Sequence, residues 1–101
     1  MKRFTVRVSP AAERDLLDSF DRGGEHWGET LALDWLDRIE GEIFSRLSRL
    51  PAGFLLAPES AEFEIDIRQF AFDRYRILFT VNPDEVLVLR VRGPFSGPLQ
   101  S

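Results

Sequence analysis

The 101-residue sequence contains no cysteine and a single histidine, His26. Without cysteine it cannot form a disulfide, a thiolate zinc site, an iron–sulfur cluster or a cysteine nucleophile. With one histidine it cannot build a histidine-based metal cage. We therefore expect no metal ion and no cofactor. The lack of disulfide chemistry also suits the reducing cytoplasm, where we expect the protein to act.

Long hydrophobic runs are absent as well. No apolar stretch approaches the roughly 20 residues that a membrane-spanning helix needs, and the charged N-terminus lacks the apolar core of a signal peptide. The sequence also has no phosphate-binding P-loop, no G-x-G-x-x-G motif and no serine-hydrolase elbow. The length supports one domain, residues 1–101. Because long apolar runs are absent, we expect no membrane partner. Residues 93–101 are rich in glycine and proline, which predicts an irregular tail.

Positive charge is scarce overall. Thirteen basic and 17 acidic residues give a net charge of −4, which argues against a general nucleic-acid binder. The distribution is uneven, because residues 1–8 carry +3, residues 9–66 carry −9 and residues 67–101 carry +2. All the basic residues except Lys2 are arginine, a side chain suited to bidentate contacts.

Two helices are predicted in the first half of the chain. Ser9 and Pro10 provide an N-cap and a favourable first helical residue, and the apolar spacing that follows ends at Gly23-Gly24. A second apolar pattern of helical period extends from Glu29 to Leu50, where Pro51 stops it. We expect an antiparallel helical hairpin.

Alternating apolar residues predict four strands. The first covers residues 3–8, and the other three cover residues 62–68, 75–81 and 86–92. The last two strands are separated by residues 82–85, which contain a proline and are typical of a hairpin loop. The order β-α-α-β-β-β predicts an α+β domain in which two helices pack on a mostly antiparallel four-stranded sheet.

The predicted hairpin also places possible functional side chains. If residues 82–85 form the loop, Tyr75 faces Arg92, and Arg90 lies beside them on the same face. The candidate basic and aromatic face comprises Arg68, Tyr75, Arg90 and Arg92, with Arg76 on the opposite side of the hairpin. Such a face could bind phosphate or nucleic acid. The same arginines could instead pair with the acidic helices or with nearby carboxylates.

His26 is the other side chain with catalytic potential. A general base is one interpretation, but the sequence offers no nucleophile or partner beside it. A surface histidine in the loop between the helices is therefore favoured.

Five segments, taken in order, resemble the RelE/ParE superfamily of toxins from type II toxin–antitoxin systems. The resemblance is closer to the ParE, or plasmid stabilisation, branch of this superfamily. The segments are VSPAAERDLLDSFD, ALDWLDRI, LSRLPAG, DIRQFAFDRYRILFTV and EVLVLRVRG. Together they cover the chain from Phe4 to about Gly93. The family fold of two helices on an antiparallel sheet agrees with the pattern derived from the residues alone.

The resemblance implies a growth-inhibiting toxin that a cognate antitoxin holds inactive in a hetero-oligomer. Characterised members of the ParE branch act on DNA gyrase by protein–protein contact, and this is the favoured function. The alternative is a RelE-like endoribonuclease that cuts mRNA on the ribosome. A second alternative is a degenerate, non-toxic member that binds only its antitoxin.

The resemblance transfers one possible catalytic residue. Arg76 matches the arginine of the family's tyrosine–arginine step and is the candidate if the protein is a nuclease. Ile67 and Gln69 stand where the nucleases have lysines, and no lysine, arginine, histidine or tyrosine follows Arg92. These departures favour a non-enzymatic toxin, although the sequence leaves enzymatic activity open.

The family's antitoxins wrap an extended or helical segment around the toxin. The candidate contacts are apolar residues of the first strand and the first helix. They are Phe4, Val6, Leu16, Leu17 and Phe20. Packing in the core is the alternative role for each of them.

Overall fold

The computed structural model describes residues 3–49 and 51–93. The elements are β1 (Thr5–Val8), α1 (Pro10–Trp27), α2 (Glu29–Leu47), a 3₁₀ turn (Pro51–Gly53), α3 (Ser60–Phe63), β2 (Arg68–Phe72), β3 (Tyr75–Val81) and β4 (Glu85–Arg92). Apart from the short α3, this is the predicted order, and the α+β class is confirmed. The predicted irregular tail lies outside the described residues except for Gly93.

Helix α1 begins as the sequence predicts, because the Ser9 hydroxyl oxygen accepts a hydrogen bond from the Ala12 amide at 3.1 Å. Its predicted end at Gly23-Gly24 is wrong, since the helix continues to Trp27. A Cβ on Gly23 would lie 3.0 Å from the Trp27 ring and 3.5 Å from the Ala32 Cβ. The glycine therefore permits close packing of the two helices, and this packing outweighs its low helix propensity.

A single residue, Gly28, joins α1 to α2 with a φ of 92°. This left-handed conformation favours glycine and turns the chain sharply into the hairpin. Helix α2 ends at Leu47, three residues before the predicted end. Neither helix, nor any other in residues 3–49 and 51–93, is long and apolar enough to cross a membrane.

The sheet has the strand order β1-β4-β3-β2. The pair β1–β4 is parallel, and the pairs β4–β3 and β3–β2 are antiparallel, so the predicted mostly antiparallel sheet is confirmed. A short extended piece, residues 55–57, continues the sheet beyond β2 through an isolated antiparallel bridge between Leu56 and Arg68. The sheet therefore ends in β1 on one side and in this piece on the other.

The strand predicted over residues 62–68 is wrong, because β2 begins only at Arg68. The preceding chain forms α3 and then turns at Glu64, whose φ of 57° is left-handed. The Ser60 hydroxyl closes this loop: it accepts from the Ile67 amide at 2.7 Å and donates to the Ile67 carbonyl at 2.8 Å. A side chain thus supplies bonds that a neighbouring strand would have supplied.

The main core lies between the helical hairpin and one face of the sheet. Its fully buried large side chains include Ile39, Ile43, Leu47, Ile77, Phe79, Val86, Val88 and Val91. A second, smaller cluster lies apart from it and consists of Ala57, Ile67 and Leu78, with Leu89 against it. The smaller cluster fixes the chain before β2 to the sheet.

Candidate functional site

The register of the β3–β4 hairpin decides where the candidate arginines lie. Near the loop the predicted pairing holds, with Phe79 opposite Val88. Further along, Leu78 pairs with Arg90, so Leu89 is one extra residue in β4. An extra residue of this kind is a β-bulge, which bends the strand and re-aims the side chains that follow it.

The bulge makes the predicted pairing of Tyr75 with Arg92 wrong. Arg76 lies opposite Arg92 instead, and Tyr75 pairs with Phe72 on the other side of β3. Tyr75 packs against the main core, where its ring centroid lies 5.0 Å from that of Trp35. The register is therefore shifted by one residue from the predicted one, and the Tyr75 ring lies against Trp35 and close to Gly93.

Arg90 binds helix α1 rather than an open surface. Its Nε and Nη2 donate to the two carboxylate oxygens of Asp15 at 2.8 and 2.9 Å. Asp15 also accepts from the Val91 amide at 2.9 Å. These hydrogen bonds raise the pKa of Arg90 above its usual range. Arg90 is thus committed to holding α1 against the end of β4.

Arg76 is held by two partners on neighbouring segments. Its Nη2 lies 2.8 Å from the Glu59 carboxylate, and its Nε and Nη2 lie 2.9 and 2.6 Å from the Gln69 side-chain oxygen. The hydrogen bond from Arg76 lowers the pKa of Glu59, and the positive charge of Arg92 adds to that effect. Glu59 therefore remains ionised between two arginines that face each other across the hairpin.

Arg68 lies apart from this group and has a structural partner of its own. Its Nη1 donates to the Phe54 carbonyl at 2.6 Å. Of the five predicted residues, only Arg76 and Arg92 are brought directly together. The carboxylates of Asp15 and Glu59, which occupy two of these arginines, come from distant parts of the sequence, and no spacing rule would have identified them.

The predicted antitoxin contacts differ in accessibility. Phe4, Val6 and Phe20 are half-buried and pack against the main core, and Leu16 belongs to that core. Only Leu17 is largely exposed. Core packing therefore accounts for Leu16, whereas Leu17 is available to a partner.

The helical hairpin has further exposed apolar side chains that sequence periodicity assigned to the helices without singling them out. Leu33 and Phe44 of α2 are exposed, and Leu36 between them is half-buried. The spacing from residue 33 to 36 and then to 40 and 44 follows the helical period. Residues 10–47 carry ten acidic and four basic side chains, a net charge of −6. The hairpin is therefore both acidic and partly apolar on its outer surface.

The remaining candidate, His26, has no catalytic partner in the part of the chain that the structure describes. His26 lies in the last turn of α1 rather than in a loop, is exposed, and its Nδ1 donates to the Arg22 carbonyl at 2.8 Å. Across residues 3–49 and 51–93, no group of three or more histidine, aspartate or glutamate side chains is placed to hold a metal ion.

Two solved toxin–antitoxin structures resemble this fold. The chromosomal ParDE system from P. aeruginosa matches with a TM-score of 0.74 at 18% sequence identity, covering 88% of this chain and 94% of that chain. The RelBE2 toxin–antitoxin complex from Mycobacterium tuberculosis matches with a TM-score of 0.65 at 23% identity, covering 95% and 97%. Comparison with curated protein sequences gives no significant match.

The helical hairpin on a mixed sheet of order β1-β4-β3-β2 is the fold that these toxin–antitoxin structures share. Residues 6–93 match the family profile described as the ParE toxin of the type II toxin–antitoxin system parDE. The chain belongs to this ParE toxin family. The resemblance found in the sequence is thereby confirmed.

Proposed function

We propose that this chain is the toxin of a ParE-type pair, that a cognate antitoxin neutralises it, and that it acts on DNA gyrase by protein–protein contact. One observation favours this function over that of a nuclease. Arg76, the only residue that matches the nuclease pattern, already has its guanidinium bound to Glu59 and Gln69. An RNA phosphate would have to compete with a carboxylate that is already in place.

The chemistry of RNA cleavage makes further demands that this surface does not meet. In-line attack by a 2′-hydroxyl needs cations around the phosphate and a group that transfers the proton. Beside Arg76, the segment before β2 contributes the anion Glu59 rather than a lysine, and the sequence after Arg92 has no lysine, arginine, histidine or tyrosine. These features support a toxin that acts by contact.

The antitoxin is proposed to bind the outer surface of the helical hairpin and the edge strand β1. Both structural relatives were solved as toxin–antitoxin systems. The hairpin offers exposed Leu17, Leu33 and Phe44 within a strongly acidic surface. A basic amphipathic segment would complement both the apolar side chains and the charge.

Induced expression tests the function directly. We expect the chain alone to cause filamentation, DNA breaks and an SOS response, and we expect co-expression of the adjacent antitoxin gene to suppress all three. Gyrase poisoning leaves translation running at first. A halt of translation within minutes with intact DNA would instead support the RelE-like nuclease. Normal growth would support the non-toxic alternative.

Arg76 is proposed as a positioning residue for the toxic surface, because it holds the segment that contains Glu59. We expect Arg76→Ala to reduce toxicity while the protein remains folded by circular dichroism. The matched control is Arg38→Ala, since Arg38 is an exposed arginine that pairs with Asp34 and lies over the Phe72 ring. Full killing by a folded Arg76→Ala protein would remove Arg76 from the functional surface.

A further inference from the structure

The sheet edge beyond β2 has an open position for another strand. In the piece at residues 55–57, the Ala57 amide donates to the Ile67 carbonyl at 2.7 Å, and the Leu55 carbonyl accepts from Gln69 at 3.0 Å. In an antiparallel bridge with these bonds, the amide and carbonyl of the middle residue point away from the sheet. Within the described chain, the main-chain groups of Leu56 accordingly make no hydrogen bond. They can pair with an incoming strand.

Large exposed apolar side chains are concentrated in the segment that contains this edge. The described residues include nine large exposed hydrophobic side chains, and four of them fall within eleven consecutive residues. These four are Leu55, Leu56, Phe63 and Ile65. Leu55 is 79% exposed and Leu56 is 50% exposed. Such a concentration in a short segment is unusual for a surface that contacts only water.

The segment is held firmly although its apolar side chains face outward. Ala57 and Ile67 are buried against Leu78 of β3. The Glu59–Arg76 ion pair fixes the segment to β3. The hydrogen bond from Arg68 to the Phe54 carbonyl fixes its beginning. A preorganised surface loses little conformational entropy when it binds a partner.

Charge decides which kind of partner fits. Residues 50–67 contain four acidic side chains and no lysine or arginine. Glu59 is already paired with Arg76, so the charge offered to a partner comes from the exposed Glu62, Glu64 and Asp66. Pairing of two copies of this chain edge to edge would place these carboxylates against their equivalents, which is unfavourable. The complementary partner is therefore an extended protein segment that combines apolar side chains with lysine or arginine.

The position of the edge separates it from β1, the strand assigned to the proposed antitoxin surface. The edge strand β1 and the piece at residues 55–57 lie at opposite ends of the sheet, with β4, β3 and β2 between them. At a spacing of about 4.8 Å per strand, these two edges are roughly 19 Å apart.

We propose that the edge at residues 55–57, with the apolar side chains around it, binds a basic, extended segment of the toxin's cellular target. That segment would add to the sheet beside Leu56. This inference rests on the proposed function, since it assumes that toxicity arises from contact with a target protein.

The first test is the variant Leu56→Arg, which removes an apolar contact and brings a positive charge toward a basic partner. The matched control is Leu31→Arg, because Leu31 of α2 is 59% exposed. Leu31 lies on the hairpin proposed to bind the antitoxin, so this control is compared only in assays without antitoxin. We expect Leu56→Arg to weaken inhibition of purified DNA gyrase about 10- to 100-fold, as for a residue central to an interface. We expect Leu31→Arg to kill like the unmodified chain.

The outcomes separate this inference from the proposed function. Leu56→Arg should still bind and be neutralised by the product of the adjacent antitoxin gene. Unchanged killing by Leu56→Arg would overturn the inference and leave the gyrase proposal standing. Loss of both toxicity and antitoxin binding would also overturn it, because the edge would then belong to the antitoxin. A wild-type chain that leaves growth unaffected would refute the proposed function and this inference with it.

Hydrogen–deuterium exchange at single-residue resolution provides a test without mutation. The Ala57 amide is bonded within the sheet and should exchange slowly in every sample. The neighbouring Leu56 amide should exchange quickly in the free chain and slowly in the complex with DNA gyrase. A gyrase complex in which Leu56 still exchanges quickly would overturn the inference. Protection of Leu56 by the antitoxin alone would do the same.

Discussion

Two arginine–carboxylate pairs are built on the β3–β4 hairpin, and their surroundings differ. Arg90 binds Asp15 through two hydrogen bonds, and the Val91 amide completes the coordination of the carboxylate. Arg76 meets Glu59 through a single nitrogen and shares its guanidinium with Gln69. We call the Asp15–Arg90 pair the closed pair, because the Val91 amide also binds its carboxylate. We call the Glu59–Arg76 pair the open pair, because another arginine, Arg92, lies beside it.

The difference indicates which pair stabilises the fold and which positions a surface. The Asp15–Arg90 pair joins α1 to β4 across 75 residues of sequence. It also satisfies the amide of Val91, which lies beyond the end of β1, where β4 has no partner strand on that side among residues 3–49 and 51–93. The Glu59–Arg76 pair joins a loop to one strand, so its loss should free the loop and leave the core intact.

The largest effect is expected from breaking the closed pair. Asp15→Ala leaves Arg90 and the Val91 amide without their acceptor, and Asp15 itself is only 15% exposed. We expect a loss of about 2–4 kcal/mol in the free energy of unfolding, measured by urea denaturation. Asp15→Asn keeps one acceptor oxygen and should lose less. Equal stability of Asp15→Ala and the unmodified chain would show that the pair contributes nothing.

A smaller effect is expected from the open pair, and it should depend on pH. The pKa of Glu59 is lowered in the folded chain, mainly by its hydrogen bond from Arg76. The stabilisation is therefore complete above the usual pKa of 4.5 and is lost as the pH falls through the lower folded value. We expect Glu59→Gln to cost about 1 kcal/mol near pH 7 and progressively less below pH 4.5.

Thermal unfolding of both proteins between pH 7 and pH 3 measures this difference. The gap between the unmodified chain and Glu59→Gln should narrow on the acid side. A gap that stays constant over the whole range would mean that the ion pair does not stabilise the fold.

The smallest effect provides the baseline for the comparison. Asp34 and Arg38 form an ion pair one helical turn apart on α2, and both side chains are more than 60% exposed. Solvent screens such a pair, so Asp34→Ala should change the free energy of unfolding by less than about 0.5 kcal/mol. A loss as large as that of Asp15→Ala would mean that burial does not distinguish the pairs.

Much of the fold could be predicted because local patterns and the final structure agree. The Ser9-Pro10 start of α1, the apolar period of α2 and the alternation in residues 75–81 all depend on near neighbours in the sequence. The strand predicted at residues 62–68 failed because Phe63 and Ile65 alternate as in a strand yet remain exposed. That alternation belongs to a partner-facing loop in our proposal, and sequence alone does not distinguish the two.

The candidate site was harder to predict because its pairing depends on one extra residue in β4, Leu89. With Leu89 bulged, Arg76 meets Arg92 and Arg90 turns to Asp15. No glycine or other recognisable signal marks this position in β4. Long-range partners such as Asp15 and Glu59 are likewise fixed by the tertiary fold.

The parallel pairing of β1 with β4 has a consequence for the order of folding. Thr5 pairs with Glu85, so the first strand waits for a partner that is synthesised 80 residues later. Helical hairpins form from nearby residues and are fast, whereas closing so long a loop is slow. We expect the N-terminal strand to be among the last parts to join the sheet, and to remain unpaired in any chain that stops before β4.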